Sequence, residues 1–112
     1  MKNKYGAKKT TLDGIKFDSK AEARRYMELK ALQMAGEISG LSLQPAFILQ
    51  EPFKHPQHGH QRAIIYIADF RYIDKLGRDI VEDVKGVLTP VYKLKKKLFL
   101  MQYPSHLFYE VK

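Results

Sequence analysis

Between Ile64 and Lys85 the chain places acidic residues where strand-forming sequence would otherwise hold apolar ones. The run Ile64-Ile65-Tyr66-Ile67-Ala68-Asp69-Phe70 reads as a buried strand interrupted by Asp69. The run Asp79 to Lys85 carries Glu82 and Asp83 among Ile80, Val81 and Val84. A carboxylate in apolar surroundings is unfavourable unless a cation, a proton or a reaction uses it. Side chains on a strand alternate faces, so Asp83 and Lys85 share a face and Glu82 points to the other, provided no bulge intervenes. Two acids and a lysine on one sheet face suit metal-dependent phosphodiester hydrolysis. Magnesium held by one or two carboxylates provides Lewis acidity and an activated water, and a lysine stabilises charge developing on the phosphate. The competing reading is a surface hairpin with a weak Asp83–Lys85 ion pair. The apolar neighbours of Asp69 and Asp83 favour the site.

The elements that must position these groups are legible in part. The two runs flank Asp-Lys-Leu-Gly-Arg, with Gly77 in the turn, which predicts a hairpin. Ser19 and Glu22 have capping-box spacing, and the spacing predicts a helix over 19–36 that stops at Gly36. Glu22 is therefore either a cap or a further carboxylate extended towards the hairpin. Ala23, Met27 and Met34, with Tyr26, Leu29 and Leu32 beside them, form a broad stripe expected to pack on a sheet. Thr11-Leu12-Asp13-Gly14-Ile15 predicts a tight turn between two short strands. Ile38 to Gln50 reads as extended, at a sheet edge or bent at Pro45. Glu51 to Arg62, with two prolines and three histidines, reads as a loop. His55, His58 and His60 offer three imidazoles and no thiolate, which fits a solvated or DNA-facing loop better than zinc. Thr89-Pro90 predicts a helix start, running to about Met101. Its Val91, Leu94, Leu98 and Met101 are expected to face the core. Lys93, Lys96 and Lys97 lie largely away from that stripe and Lys95 at its margin, a surface suited to following phosphates. A last strand closes the chain.

The whole reads as an α/β (α+β) domain spanning residues 1–112, with residues 1–9, including Lys8 and Lys9, as a mobile basic arm. Twenty Lys and Arg against 12 Asp and Glu leave a net charge of +8, which favours a polyanionic partner. There are no cysteines, so disulfides and thiolate metal sites are excluded. No apolar run reaches the ~20 residues a membrane span needs, and no signal-like stretch opens the chain, so a cytoplasmic setting is expected.

Four blocks, Phe17-Asp18-Ser19-Lys20-Ala21-Glu22-Ala23, Tyr66-Ile67-Ala68-Asp69-Phe70-Arg71-Tyr72, Val81-Glu82-Asp83-Val84-Lys85-Gly86 and Thr89-Pro90-Val91-Tyr92-Lys93-Leu94-Lys95-Lys96-Lys97-Leu98-Phe99, occur in that order. Together they resemble the PD-(D/E)XK nuclease superfamily. More narrowly, they resemble small phage-encoded endonucleases of the Holliday-junction-resolvase kind. The resemblance implies a restriction-endonuclease-like fold, a central mixed β-sheet flanked by helices. It implies Glu22, Asp69 and Asp83 as metal ligands, Lys85 as the catalytic lysine, and one or two Mg2+ (or Mn2+) per site. It further implies a homodimer that cuts opposed strands of branched DNA. Ala68 stands where the superfamily's name has proline, a position that is not a ligand. The expected function is a magnesium-dependent endonuclease resolving Holliday junctions. The alternatives are a relative with another DNA target, in nicking, recombination or repair, or a non-catalytic nucleic-acid-binding module.

Overall fold

Local signals fix the first elements. In the computed structural model, which describes residues 9–112, β1 (Thr10–Leu12) and β2 (Ile15–Phe17) pair antiparallel around Asp13 and Gly14. Both turn residues have positive φ, 52° and 75°, as the mirror-image hairpin turn requires. Helix α1 (Lys20–Met34) begins as its sequence predicts, with the Ser19 hydroxyl accepting the Glu22 amide at 3.1 Å. It ends with Gly36 at φ 80° and the Glu37 amide bonded to Leu32 O. Its buried line is Glu22, Ala23, Tyr26 and Leu29. Met27 and Met34 face outward, the latter 81% exposed, contrary to the broad stripe expected. Two polar anchors, Tyr26 to Asp13 and Arg25 to Glu82, fix the face of the helix that turns inward, and the methionines lie off it.

A four-stranded mixed sheet lies beneath α1. Its order is β10 (Leu107–Val111), β9 (Asp79–Val84), β8 (Phe70–Asp74) and β3 (Ile38–Leu43). β8 and β9 form the hairpin around Gly77, β3 runs antiparallel to β8, and β10 runs parallel to β9. A parallel neighbour requires a crossover, which α2 (Pro90–Gln102) supplies. β9 is covered on both faces. Ile80 joins the α1-side core with Phe17, Tyr26, Leu29 and Phe70, and Val81 joins a second core with Phe47, Tyr66, Tyr92 and Phe99.

The run Ile64–Phe70 is not one strand. β7 (Ile64–Ile67) pairs with β4 (Ala46–Gln50) in a separate two-stranded sheet, and β8 begins only at Phe70. The segment Ile38–Gln50 divides in the same way between β3 and β4, bending at Pro45 after Gln44, whose φ is 52°. The two breaks meet: the Gln44 amide bonds Asp69 O at 2.9 Å and the Ala68 amide bonds Pro45 O at 3.1 Å. Asp69 thus sits at a joint where the chain changes sheets. The stretch expected to be a loop is a hairpin, β5 (Phe53–His55) with β6 (Gly59–Gln61).

α2 starts at Thr89, whose hydroxyl accepts the Tyr92 amide, with Pro90 in the first turn as expected. Its buried face is Tyr92 and Phe99, with Leu98 only partly packed. Val91, Leu94 and Met101 are more than 60% exposed, which overturns the aliphatic stripe expected to face the core. The aromatic i, i+7 pair buries more surface and stacks on further rings, Phe99 lying 4.8 Å from Phe47 and 5.4 Å from Tyr103. No helix among the described residues is long and apolar enough to cross a membrane.

Candidate active site

The site is assembled at the C-terminal end of β9. Asp83, on the face away from α1, is only 1% exposed. Its Oδ2 accepts a hydrogen bond from the Tyr66 hydroxyl. Its Oδ1 lies 3.0 Å from Lys85 Nζ, an ion-pair contact whose angles do not make a hydrogen bond, so Oδ1 is buried with a charge partner but no hydrogen-bond donor. The Lys85 ammonium sits over the Tyr92 ring, 4.5 Å from its centre. Strand parity therefore does bring Asp83 and Lys85 together.

Asp69 reaches the same place from the sheet-changing joint. Its Oδ2 accepts the Val84 amide at 2.6 Å, which ties it to the strand carrying Asp83. Burial, and then the neighbouring Asp83 carboxyl within hydrogen-bonding reach, push the Asp69 carboxyl up to about 8, with the Val84 amide opposing. The two acids are best regarded as one coupled pair that resists holding two negative charges.

Glu22 enters from the first turn of α1 and is 6% exposed. Burial raises its pKa first, Asp18 and then Asp83 add to this, and the Asp18 amide and Lys85 oppose it. Glu22 thus lies in the first turn, where the Ser19 hydroxyl caps its amide, and its carboxylate is sensed by both Asp83 and Lys85. A cleft of about 660 Å³ opens here, lined by Asp18, Glu22, Asp69, Lys85, Tyr92 and Glu110 among others.

Glu82, one residue from Asp83, faces the other way. Arg25 grips it with two N–H groups at 2.8 and 2.7 Å, and the Tyr72 hydroxyl donates to it as well. It is a buried ion pair joining α1 to β9, and it stands outside the cleft. Tyr66, Tyr92 and Glu110 shape the site, and the sequence alone singles out none of them for it. Tyr66 stands in an uninterrupted apolar run, Ile64-Ile65-Tyr66-Ile67, so no local pattern sets it apart.

Among the described residues, no three acidic or histidine side chains converge into a ready-made metal cage, neither Glu22 with the aspartates nor the three histidines of the β5–β6 hairpin. A magnesium ion that keeps several waters needs only one or two carboxylates. The donor set fits such an ion: hard oxygens, two carboxyls forced together, and a buried Oδ1 lacking a hydrogen bond. Of the basic residues, Lys9, Lys93 and Lys97 are exposed. Lys95 is instead engaged with Ile65 O at 2.9 Å, and Lys96 with Glu110 at 2.8 Å. Lys8 and the rest of the expected basic arm up to it lie outside the described residues.

No curated protein and no solved structure matches the chain. Its residues 2–112 match one family model almost end to end, and the chain belongs to that family, described as a protein of unknown function, DUF1064.

Proposed function

We propose that this protein is a divalent-metal-dependent DNA endonuclease of the PD-(D/E)XK type, acting as a homodimer on branched DNA such as a four-way junction. The observation that carries the reading is the meeting of Asp69, Asp83 and Lys85 at one end of the sheet, with Glu22 brought to the same cleft by α1. Burying two carboxyls side by side is unfavourable, and a cation bound between them removes the penalty. Asp69 and Asp83 would hold a Mg2+ or Mn2+ ion, with Glu22 able to orient water on it. When bound, the ion would supply Lewis acidity and lower the pKa of a water, so that the water gives up a proton as its oxygen attacks phosphorus.

The chain's own groups account for the remaining requirements. Tyr66 and the Val84 amide each occupy one oxygen of Asp83 and Asp69, so both carboxylates are oriented before any ligand arrives. Lys85, held between Asp83 and the Tyr92 ring, is positioned to stabilise the phosphoryl charge as the P–O ester bond breaks. A net charge of +8 and the exposed Lys93 and Lys97, which line a hollow sharing Tyr92 and Glu110 with the cleft, favour a phosphate backbone there. A pure binding module would gain nothing from buried acids that repel phosphate. The test is Asp83→Asn: metal-dependent cleavage is lost while DNA binding remains, and a variant that still cuts with magnesium would remove the basis of the assignment.

A further inference from the structure

We propose that the β5–β6 hairpin is a duplex-reading arm that enters the major groove of B-form DNA within about one helical turn of the cleft. The proposal rests on the DNA-endonuclease reading for the identity of the polyanion. Its own grounds are topology and chemistry.

β4 leads out from Pro45 and β7 returns to Ala68, both pinned beside Asp69. Beyond them β5 and β6 pair with each other and pack substantially on no other element. An isolated two-stranded ribbon is marginal in water and contributes little to a core. This one is instead held by bonds of its own. His55 Nδ1 accepts the amides of Gln57 and His58, both at 3.0 Å, Gln61 Nε2 bonds His58 O at 3.2 Å, and Gly59 supplies the positive φ of 74°. A turn so specified, yet buried against nothing, is shaped for something outside the fold.

Its chemistry points to that something. From Pro52 to Ala68 there is no acidic residue. Lys54 stands directly opposite His60 on one face of the ribbon, and Phe53 with Gln61 on the other. Lys54, His60 and the following Arg62 are all exposed. A two-stranded ribbon fits the B-DNA major groove, whereas the deep, narrow major groove of A-form RNA does not admit one. From Asp69 to the tip at His58 an extended chain spans at most roughly 35 Å at about 3.3 Å per residue. One turn of B-DNA is about 34–36 Å. A tip anchored this way can therefore reach no farther than about one helical turn from a phosphate in the cleft.

The test uses the full chain and three probes of equal length: duplex DNA, duplex RNA and single-stranded DNA. Lys54, His60 and Arg62 are replaced together by alanine, and affinity is followed against salt. The variant should bind duplex DNA about tenfold more weakly, with the log–log salt slope smaller by about two for the two lost cations. RNA and single-strand binding, and Mn2+ affinity at the cleft, should not change. A photocrosslinking residue in place of His58, in otherwise intact protein, should label duplex DNA, which covers the case of a poorly folded triple variant. Unchanged duplex affinity with no crosslink overturns the arm and leaves the endonuclease reading standing. An equal loss on all three probes overturns groove entry. Failure of the intact protein to bind any DNA overturns both readings.

Discussion

Replacing Asp69 by asparagine should make the metal-free protein more stable, and increasingly so as pH rises. The Asp69 carboxyl is pushed from its ordinary 3.8 up to about 8 by burial and by Asp83. With the folded-state value above the unfolded one, the folded protein binds the extra proton between those limits. Rising pH strips it, so the wild type loses stability from about pH 4 to about pH 8 and then levels off. At 1.36 kcal/mol per unit the ceiling on that loss is about 5 kcal/mol at about pH 8, and about 1.6 kcal/mol at about pH 5. Half-burial and relaxation of a coupled pair lower these figures, and about 2 kcal/mol is the reasonable expectation for the gain at the higher pH. Asparagine keeps an oxygen for the Val84 amide and can donate to Asp83, so little is lost elsewhere. For a chain of this size the gain is a rise in Tm of about 8 °C at about pH 8, and much less at about pH 5. Thermal melts of both proteins in EDTA at the two pH values measure it. Saturating Mg2+ should raise the wild-type Tm most at the higher pH and the variant's little. A Tm difference that is the same at both pH values, or an asparagine variant that melts lower at both, refutes the charge-repulsion account.

Other consequences concern the supports of the site and its surface. Arg25→Ala strands the buried Glu82 without its cation and should destabilise the fold by about 3–5 kcal/mol in urea unfolding, whereas Glu28→Ala, which removes only an exposed partner of Arg25, should change it by less than about 1 kcal/mol. An Arg25→Ala variant with the wild-type urea midpoint would show that the α1–β9 clamp is not structural. Lys93→Ala and Lys97→Ala should each lower the salt slope of DNA binding by about one, while Lys95→Ala, which removes a bond to Ile65 O, should act on stability instead. Equal salt slopes for all three variants would contradict that division.

Much of the site was visible in the sequence because strand parity and helix capping are local rules. Asp83 and Lys85 share a face, Glu82 takes the other, and Ser19 and Thr89 begin the two helices where expected. What escaped the sequence was long-range. The strand containing Asp69 divides because Ala68 bonds Pro45 across 22 residues of intervening chain, and nothing local announces that partner. The helix faces were misassigned for a related reason. Val91, Leu94, Leu98 and Met101 have ideal aliphatic spacing, yet Tyr92 and Phe99 find aromatic neighbours on β4 and β7. The hairpin within the histidine-rich stretch was hidden because its order comes from side-chain bonds to the turn, not from alternating apolar residues.

We propose that the Asp69–Asp83–Lys85 cluster cuts DNA with a divalent ion. Incubation of the purified chain with a synthetic four-way junction, in Mg2+ and in EDTA, tests it most directly. Paired nicks in opposed strands should appear with Mg2+, vanish with EDTA, and be absent in Asp83→Asn protein that still shifts the junction on a gel. A junction bound tightly but left intact in Mg2+ and Mn2+ alike, or cut equally well in EDTA, would contradict the account.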